Sequence, residues 1–145
     1  AVLIAEATAT AARGVDGSSV LRSAFATSPE YRTRLEVAHG WLDQATPTTP
    51  SEVRRTLGMG ITAPTSCVTA VYLAARFMDE PFESLLEFAA RAGGDVDTVG
   101  AMAGALWGAR NGYSRLPPDR IGTLEDAGRL RDLADRLHAR VHGAG

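Results

Sequence analysis

The densest group of reactive side chains in this 145-residue sequence is Ala92-Gly93-Gly94-Asp95-Val96-Asp97-Thr98-Val99-Gly100. Two carboxylates and a hydroxyl fall within four residues, where one helical pattern ends and another begins. The preceding glycines tolerate positive φ and therefore a tight turn. In such a turn side chains at i and i+2 converge, which they do not on a regular helix. Asp95, Asp97 and Thr98 make a hard, all-oxygen donor set, suited to Mg2+, Mn2+ or Ca2+ rather than zinc. Three protein donors leave coordination positions open, as a catalytic metal requires. The competing reading is structural: Asp97 caps the next helix and Asp95 is a solvated turn residue. Both readings are open at this level.

A second candidate is Gly58-Met59-Gly60-Ile61-Thr62-Ala63-Pro64. A glycine-flanked loop at a helix start brings backbone N–H groups to a phosphate or a ring. The alternative is an ordinary inter-helix turn. His39, His138 and His142 have no zinc-site spacing with any carboxylate and read as surface residues. Cys67 lies in an apolar helix with no histidine nearby in sequence, the setting of a core thiol. Trp41 and Trp107 sit among core-spaced neighbours and read as packing residues. An Asp-x-Asp phosphatase of the haloacid-dehalogenase kind needs a strand before the motif and a Thr two residues beyond it. Here a helical pattern precedes, and Thr98 follows Asp97 directly.

The elements that must position these residues are helical nearly throughout. An Ala-rich helix opens at Val2, Leu3 and Ile4 and runs to about Arg13, before the turn Gly14-Val15-Asp16-Gly17. Ser18 or Ser19 caps a short helix carrying Val20, Leu21, Ala24 and Phe25. Ser28-Pro29-Glu30 starts another, with Tyr31, Leu35, Ala38 and Leu42 at helical spacing. After a Thr/Pro connector, Thr49-Pro50-Ser51-Glu52 reads as a capping box, and Val53 and Leu57 face inward. A helix from about Thr65 or Ser66 to Met78 follows. The next is capped by Asp79 and turns Phe82, Leu85, Leu86 and Ala89 inward. A small-residue helix spans roughly Thr98 to Arg110. Its glycines at 100, 104 and 108 predict close packing against another helix, and their uncharged stretch is too short to span a bilayer. A Pro loop through Leu116-Pro117-Pro118 leads to a last amphipathic helix from about Leu124 to Val141, with Leu130, Leu133, Leu137 and Val141 on one face. No stretch alternates convincingly as a strand and no repeat is visible. The fold class is all-α, as one domain or half-domain over residues 1–145.

Composition narrows the function classes. Hydrophobic residues make up 45% and charged residues 22%, enough for a core. Net charge is −2, which argues against a general nucleic-acid binder. All 15 basic residues are Arg and 25 residues are Ala, the bias of a GC-rich genome rather than of a site. One Cys excludes an internal disulfide framework and suits a reducing, cytoplasmic setting. No apolar stretch reaches the roughly 18 residues of a membrane span, and no basic n-region marks a signal peptide.

The two glycine-rich motifs, about 35 residues apart and in this order, resemble the ADP-ribosylglycohydrolase family. Gly93-Gly94-Asp95-Val96-Asp97-Thr98, then Val99 to Ala105 and Leu116-Pro117, is similar to that family's carboxy-terminal metal signature. Val96 stands where Thr is usual, at a position that is not a ligand in the family. Tyr31-x-x-Arg34-Leu35, Leu42-Asp43-Gln44-Ala45, Leu57-Gly58-x-Gly60-Ile61-x-Ala63 and Thr69-Ala70-Val71-Tyr72 resemble the branch that removes ADP-ribose from serine and degrades poly(ADP-ribose). The resemblance covers about residues 30 to 118. It implies an all-helical orthogonal bundle that holds two Mg2+ ions near the ribose of ADP-ribose, with Mn2+ as a substitute. It also implies Asp95, Asp97 and Thr98 as metal ligands, Asp97 bridging, and Gly60 and Ile61 as substrate contacts. Pro64, Thr65, Cys67 and Val68 depart from the branch pattern on the substrate side.

The family's amino-terminal motifs do not occur in the sequence: Gly-Asp-x-x-Gly, Thr-Asp-Asp, the catalytic acidic residue and a phosphate loop. The resemblance therefore places the catalytic residue outside this chain, and the chain reads as starting in the helix after that half. Two dications about 4 Å apart need several carboxylates to offset their repulsion, and two aspartates are too few. The expectation is weak single-metal binding, no efficient turnover by the chain alone, and a partner in the amino-terminal half or a second chain. The alternative is a non-catalytic short relative that binds ADP-ribose or a partner. Neither nucleic acid nor a membrane is an expected partner.

Overall fold

The computed structural model describes residues 2–143, apart from the side chains of Val141 and His142. Every regular element among the described residues is helical: α1 (Val2–Ala11), α2 (Gly17–Ser23), α3 (Pro29–Leu42), α4 (Pro50–Thr56), α5 (Ala63–Arg76), α6 (Phe82–Ala92), α7 (Val96–Asn111), a 3-10 turn (Tyr113–Arg115), α8 (Pro118–Ile121) and α9 (Ala127–His142). The all-α expectation holds. The chain divides into one unit through Arg115 and a second from Leu116 onward.

In the first unit α5 is the central element. Its residues from Ser66 to Ala75 are all buried, because α1, α2, α3 and α7 pack around it. A helix that is apolar on nearly all sides has to be enclosed in this way. Against it, α7 contributes Val99, Ala103, Leu106 and Trp107, while α6 turns in Leu85, Ala89 and Ala92. The Trp107 indole N–H donates to the carbonyls of Phe77 (3.0 Å) and Glu80 (3.2 Å). The Asn111 amide donates to Met78 O at 2.9 Å. The α5–α6 connection thus has its free carbonyls satisfied by α7, as burial of backbone requires.

Local signals set most helix starts. Thr49 and Glu52 form the reciprocal capping box expected of them. At α2, however, Asp16 is the cap in place of Ser18 or Ser19: its carboxylate accepts from the Ser19 amide at 2.9 Å and from both serine hydroxyls. A carboxylate one residue before the helix competes better for the orphan N–H groups than a hydroxyl inside it. Asp79 does not cap α6, whose N-cap is Pro81. The α7 helix begins earlier than expected, at Val96, and α5 earlier still, at Ala63.

Glycine explains the closest approaches. At Gly17 a Cβ would collide with the backbone of Ala75, so α2 crosses α5 where only glycine fits. The stripe of α7 packs against another helix, α6, as its spacing predicts. Gly100 and Gly104 receive the side chains of Leu86 and Phe82, and Gly108 meets nothing within 4 Å. The stripe accepts side chains of α6, and no helix backbone lies against it. Leu86 is accordingly 40% exposed, and Phe25, beyond the end of α2, is 67% exposed. Leu86 was expected inside and Phe25 on the helix, which ends at Ser23.

The second unit consists of α8 and α9. Leu130, Leu133 and Leu137 share one face of α9, as their spacing predicts, and each is more than half exposed. Val141, the fourth residue of that face, has its side chain outside the described set. Among the described residues no helix is long and apolar enough to cross a membrane.

Candidate metal and ligand site

The two glycine-rich motifs meet through backbone. The Asp95 amide donates to the Met59 carbonyl at 2.8 Å. Gly94, at φ +85°, lies so close that a Cβ there would run into Met59 O and approach Met59 Cβ at 2.8 Å. Gly93 (φ +67°) and Gly58 (φ +93°) also occupy the left-handed region that disfavours other residues. The turn geometry inferred from the glycines is therefore present in both loops.

Several side chains hold these loops in place. Thr69, fully buried in α5, donates its hydroxyl to Gly58 O at 2.6 Å. Arg34 donates from Nε to Leu57 O at 3.1 Å. Arg54 of α4 reaches Ala92 O at 3.4 Å, at the carboxyl end of α6 where a cation is favoured. Sequence reasoning assigned no role to Thr69, Arg34 or Arg54. The available signal was Thr69, a hydroxyl inside an otherwise apolar helix, which needs a partner once buried. The arginine contacts are long-range and leave no local trace.

Asp95 occupies the N-cap position of α7, but its side chain makes no cap hydrogen bond. Asp97 lies inside the first turn, and its Oδ1 accepts from the Thr98 amide at 2.9 Å. The carboxyls of Asp95 and Asp97 are within hydrogen-bonding reach. That contact, then the Thr98 amide and its own amide, holds the Asp97 carboxyl below its usual range. Asp95 is half-buried, and Asp97 and Thr98 are exposed. The structure thus brings together the two carboxylates that the spacing singled out. Gly60 and Ile61 follow directly after Met59, so Ile61 lies within about 7 Å of Met59 along the chain. Ile61 is 89% exposed, unusual for an isoleucine.

Among the described residues no three His, Cys, Asp or Glu side chains converge as a metal cluster. The donors present still have the right chemistry for one hard cation. The Asp95 and Asp97 carboxyls make contact by sharing a proton, and a divalent ion can take that proton's place between them. Other ligands must then come from water or another polypeptide.

His39 is half-buried and His138 exposed, and His142 has its side chain outside the described set. Cys67 is a free, buried thiol. Trp107 is a core residue, whereas Trp41 is half-buried.

Comparison with known proteins identifies the family. The family model described as ADP-ribosylglycohydrolase matches residues 1–145. Human ADP-ribosylhydrolase ARH3 is 37% identical over 117 residues, covering 74% of this chain and 32% of its own length. The mouse ARH3 protein is 35% identical over 117 residues, covering 74% of this chain and 31% of its own length. The zebrafish (Danio rerio) protein is 32% identical over 118 residues, with 74% of this chain and 31% of its own length covered. The chain therefore spans about a third of the length of the curated relatives it matches. With a match over its whole length and its two motif loops joined, this chain belongs to the ADP-ribosylglycohydrolase family, on the ARH3 side of it.

Proposed function

We propose that this chain is the carboxy-terminal, metal-loop-bearing part of a Mg2+-dependent ADP-ribosyl hydrolase, which cleaves ADP-ribose from modified protein or polymer. The observation that carries the reading is the Asp95–Met59 hydrogen bond, which sets an all-oxygen donor pair beside a glycine loop bearing an exposed isoleucine. In this reading Asp95, Asp97 and Thr98 hold a divalent cation, Mg2+ or in its place Mn2+. Gly60 offers close backbone approach, and Ile61 packs on the adenine or ribose end of ADP-ribose. The cation, when bound, supplies orientation of ribose hydroxyls and stabilisation of developing charge.

The chain's own residues bind and orient; none of them is assigned the proton transfer. That task needs a carboxylate near the glycosidic bond, which in this reading belongs to the amino-terminal part of the enzyme. Two side-chain carboxylates also leave a pair of dications under-neutralised. The chain alone is then a single-cation binder without efficient turnover, and its partner is the amino-terminal part or a second chain.

The test is ADP-ribose release from a serine-ADP-ribosylated peptide, with Mg2+ and with chelator. The expected result is no release by this chain and chelator-sensitive release after adding the amino-terminal part of a related enzyme. Chelator-sensitive release by the chain alone would overturn the incomplete-site argument. Binding of ADP-ribose without any restored turnover would replace the enzyme reading with that of a binding module.

A further inference from the structure

The carboxyl end of α5 carries an arginine whose donors are only partly used. Arg76 Nη1 donates to Thr48 O at 2.7 Å and to Thr48 Oγ1 at 2.6 Å, with a longer approach to the Tyr72 hydroxyl at 3.5 Å. Thr48 Oγ1 and the Tyr72 hydroxyl are themselves paired at 2.5 Å. A guanidinium has five N–H donors, and the two on Nη1 account for the Thr48 bonds. Among the described residues, no acceptor is bonded to Nε or Nη2. Ion pairs among the described residues join Arg91 to Glu87 and Arg129 to Asp126, so no carboxylate pairs with Arg76.

The guanidinium plane is fixed. Its Cζ lies 4.5 Å from the Phe88 ring centroid and 5.1 Å from that of Phe77. Cation–π contacts with two rings, together with the Thr48 hydrogen bonds, hold the guanidinium. A cleft of about 340 Å3 opens beside it, with Trp41, Leu42, Pro47 and Phe77 as apolar lining and Gln44 and Glu80 as polar lining. Trp41 is held against Tyr72 with ring centroids 5.5 Å apart. A second cleft, which Arg76, Thr48 and Phe77 also line, contains Phe88 together with Glu87 and Arg91, and these last two neutralise each other at 2.6 Å.

We propose that Arg76 anchors a carboxylate-binding site in the Trp41–Pro47–Phe77 cleft, and that its ligand is an acidic side chain of a polypeptide with an apolar neighbour. The Nε–H and one Nη2–H are parallel and coplanar, the geometry that a planar carboxylate accepts in bidentate fashion. Glu80 in the same cleft disfavours a doubly charged phosphate more than a singly charged carboxylate. The apolar lining receives the neighbouring side chain. Arg76 lies in the last turn of α5, and none of its hydrogen bonds involves a residue of the aspartate loop. The site does not depend on the metal chemistry proposed above.

The experiment follows the Arg Nε–H resonances of the full chain by NMR while acetyl-Phe-Glu-amide, acetyl-Phe-Gln-amide or inorganic phosphate is titrated in. Arg76→Lys identifies the Arg76 resonance by its disappearance. The expected result is a saturable shift of that resonance with the glutamate peptide and at least ten-fold weaker binding of the glutamine peptide. The Trp41 indole N–H resonance, from the same cleft and followed in both proteins, should report at least ten-fold weaker binding of the glutamate peptide by Arg76→Lys. Should the lysine variant lose stability by releasing Thr48, the two-peptide comparison on the unsubstituted protein still decides. Equal binding of both peptides, or an Arg76 resonance that does not move, overturns the proposal. Phosphate saturating the same resonance at lower concentration overturns the choice of a carboxylate.

Discussion

Asp95 N–H and Met59 O, 36 positions apart in sequence, are joined by a 2.8 Å hydrogen bond. The bond requires Gly94 to lie against the Met59 carbonyl with no Cβ between them. Gly94→Ala should therefore separate the loops and impose a strained backbone at φ +85°. The expected cost is about 1–3 kcal/mol, read as a lowered thermal midpoint. Gly108→Ala is the control. Its Cβ would meet nothing within 4 Å, and alanine inside a helix is favoured by about 1 kcal/mol. The midpoint should rise in that variant. A Gly94→Ala protein as stable as the parent would show that the loops are not held this way.

Asp97→Ala should remove divalent-cation binding, measured by Mn2+ paramagnetic resonance or calorimetry. Asp97 is exposed, and water can replace its one hydrogen bond to the helix, from the Thr98 amide, so the far-ultraviolet circular dichroism should be nearly unchanged. Retained metal affinity in this variant would assign the cation elsewhere.

Ile61→Ala separates ligand contact from packing. With 89% of its surface exposed, Ile61 contributes little to the core, and stability should change by less than about 0.5 kcal/mol. ADP-ribose affinity, measured in the reconstituted protein with Mg2+, should fall several-fold. Unchanged affinity would remove Ile61 from the substrate contacts.

Gly17→Ala tests the crossing of α2 over α5. A Cβ at this position meets the Ala75 backbone, which has no side-chain rotamer to give way. Over-packing of this kind costs about 1–3 kcal/mol. Urea denaturation should show a lower midpoint with an unchanged slope.

The acid limb of stability has identifiable contributors. Hydrogen bonds from Ser18 and Ser19 hold the Asp16 carboxyl well below the usual carboxylate range. The Thr49 amide and hydroxyl lower that of Glu52. A carboxyl depressed in the folded state stabilises fully above its unfolded pKa, about 4. The contribution is lost as pH falls from there toward the depressed folded value. The thermal midpoint of Asp16→Asn should therefore lie below that of the parent at neutral pH, and the gap should close as the solution is acidified through that window. A gap independent of pH would mean that charge at Asp16 is not involved.

The sequence by itself determined the all-α class, the Thr49–Glu52 capping box, the face of leucines on α9 and the pairing of Asp95 with Asp97. Each depends on residues a few positions apart, where helix period, cap chemistry and turn geometry act locally. The two motifs also identified the family, since their residues and order survive in one dimension. Tertiary structure alone decided the rest. Leu86 and Phe25 lie at the surface. Thr69, Arg34 and Arg54 hold the two loops, and Met59 supplies the acceptor for Asp95. The physical reason is that backbone carbonyls carry no sequence identity. Any residue can offer one, and only packing shows which carbonyl lies opposite a given amide, hydroxyl or guanidinium.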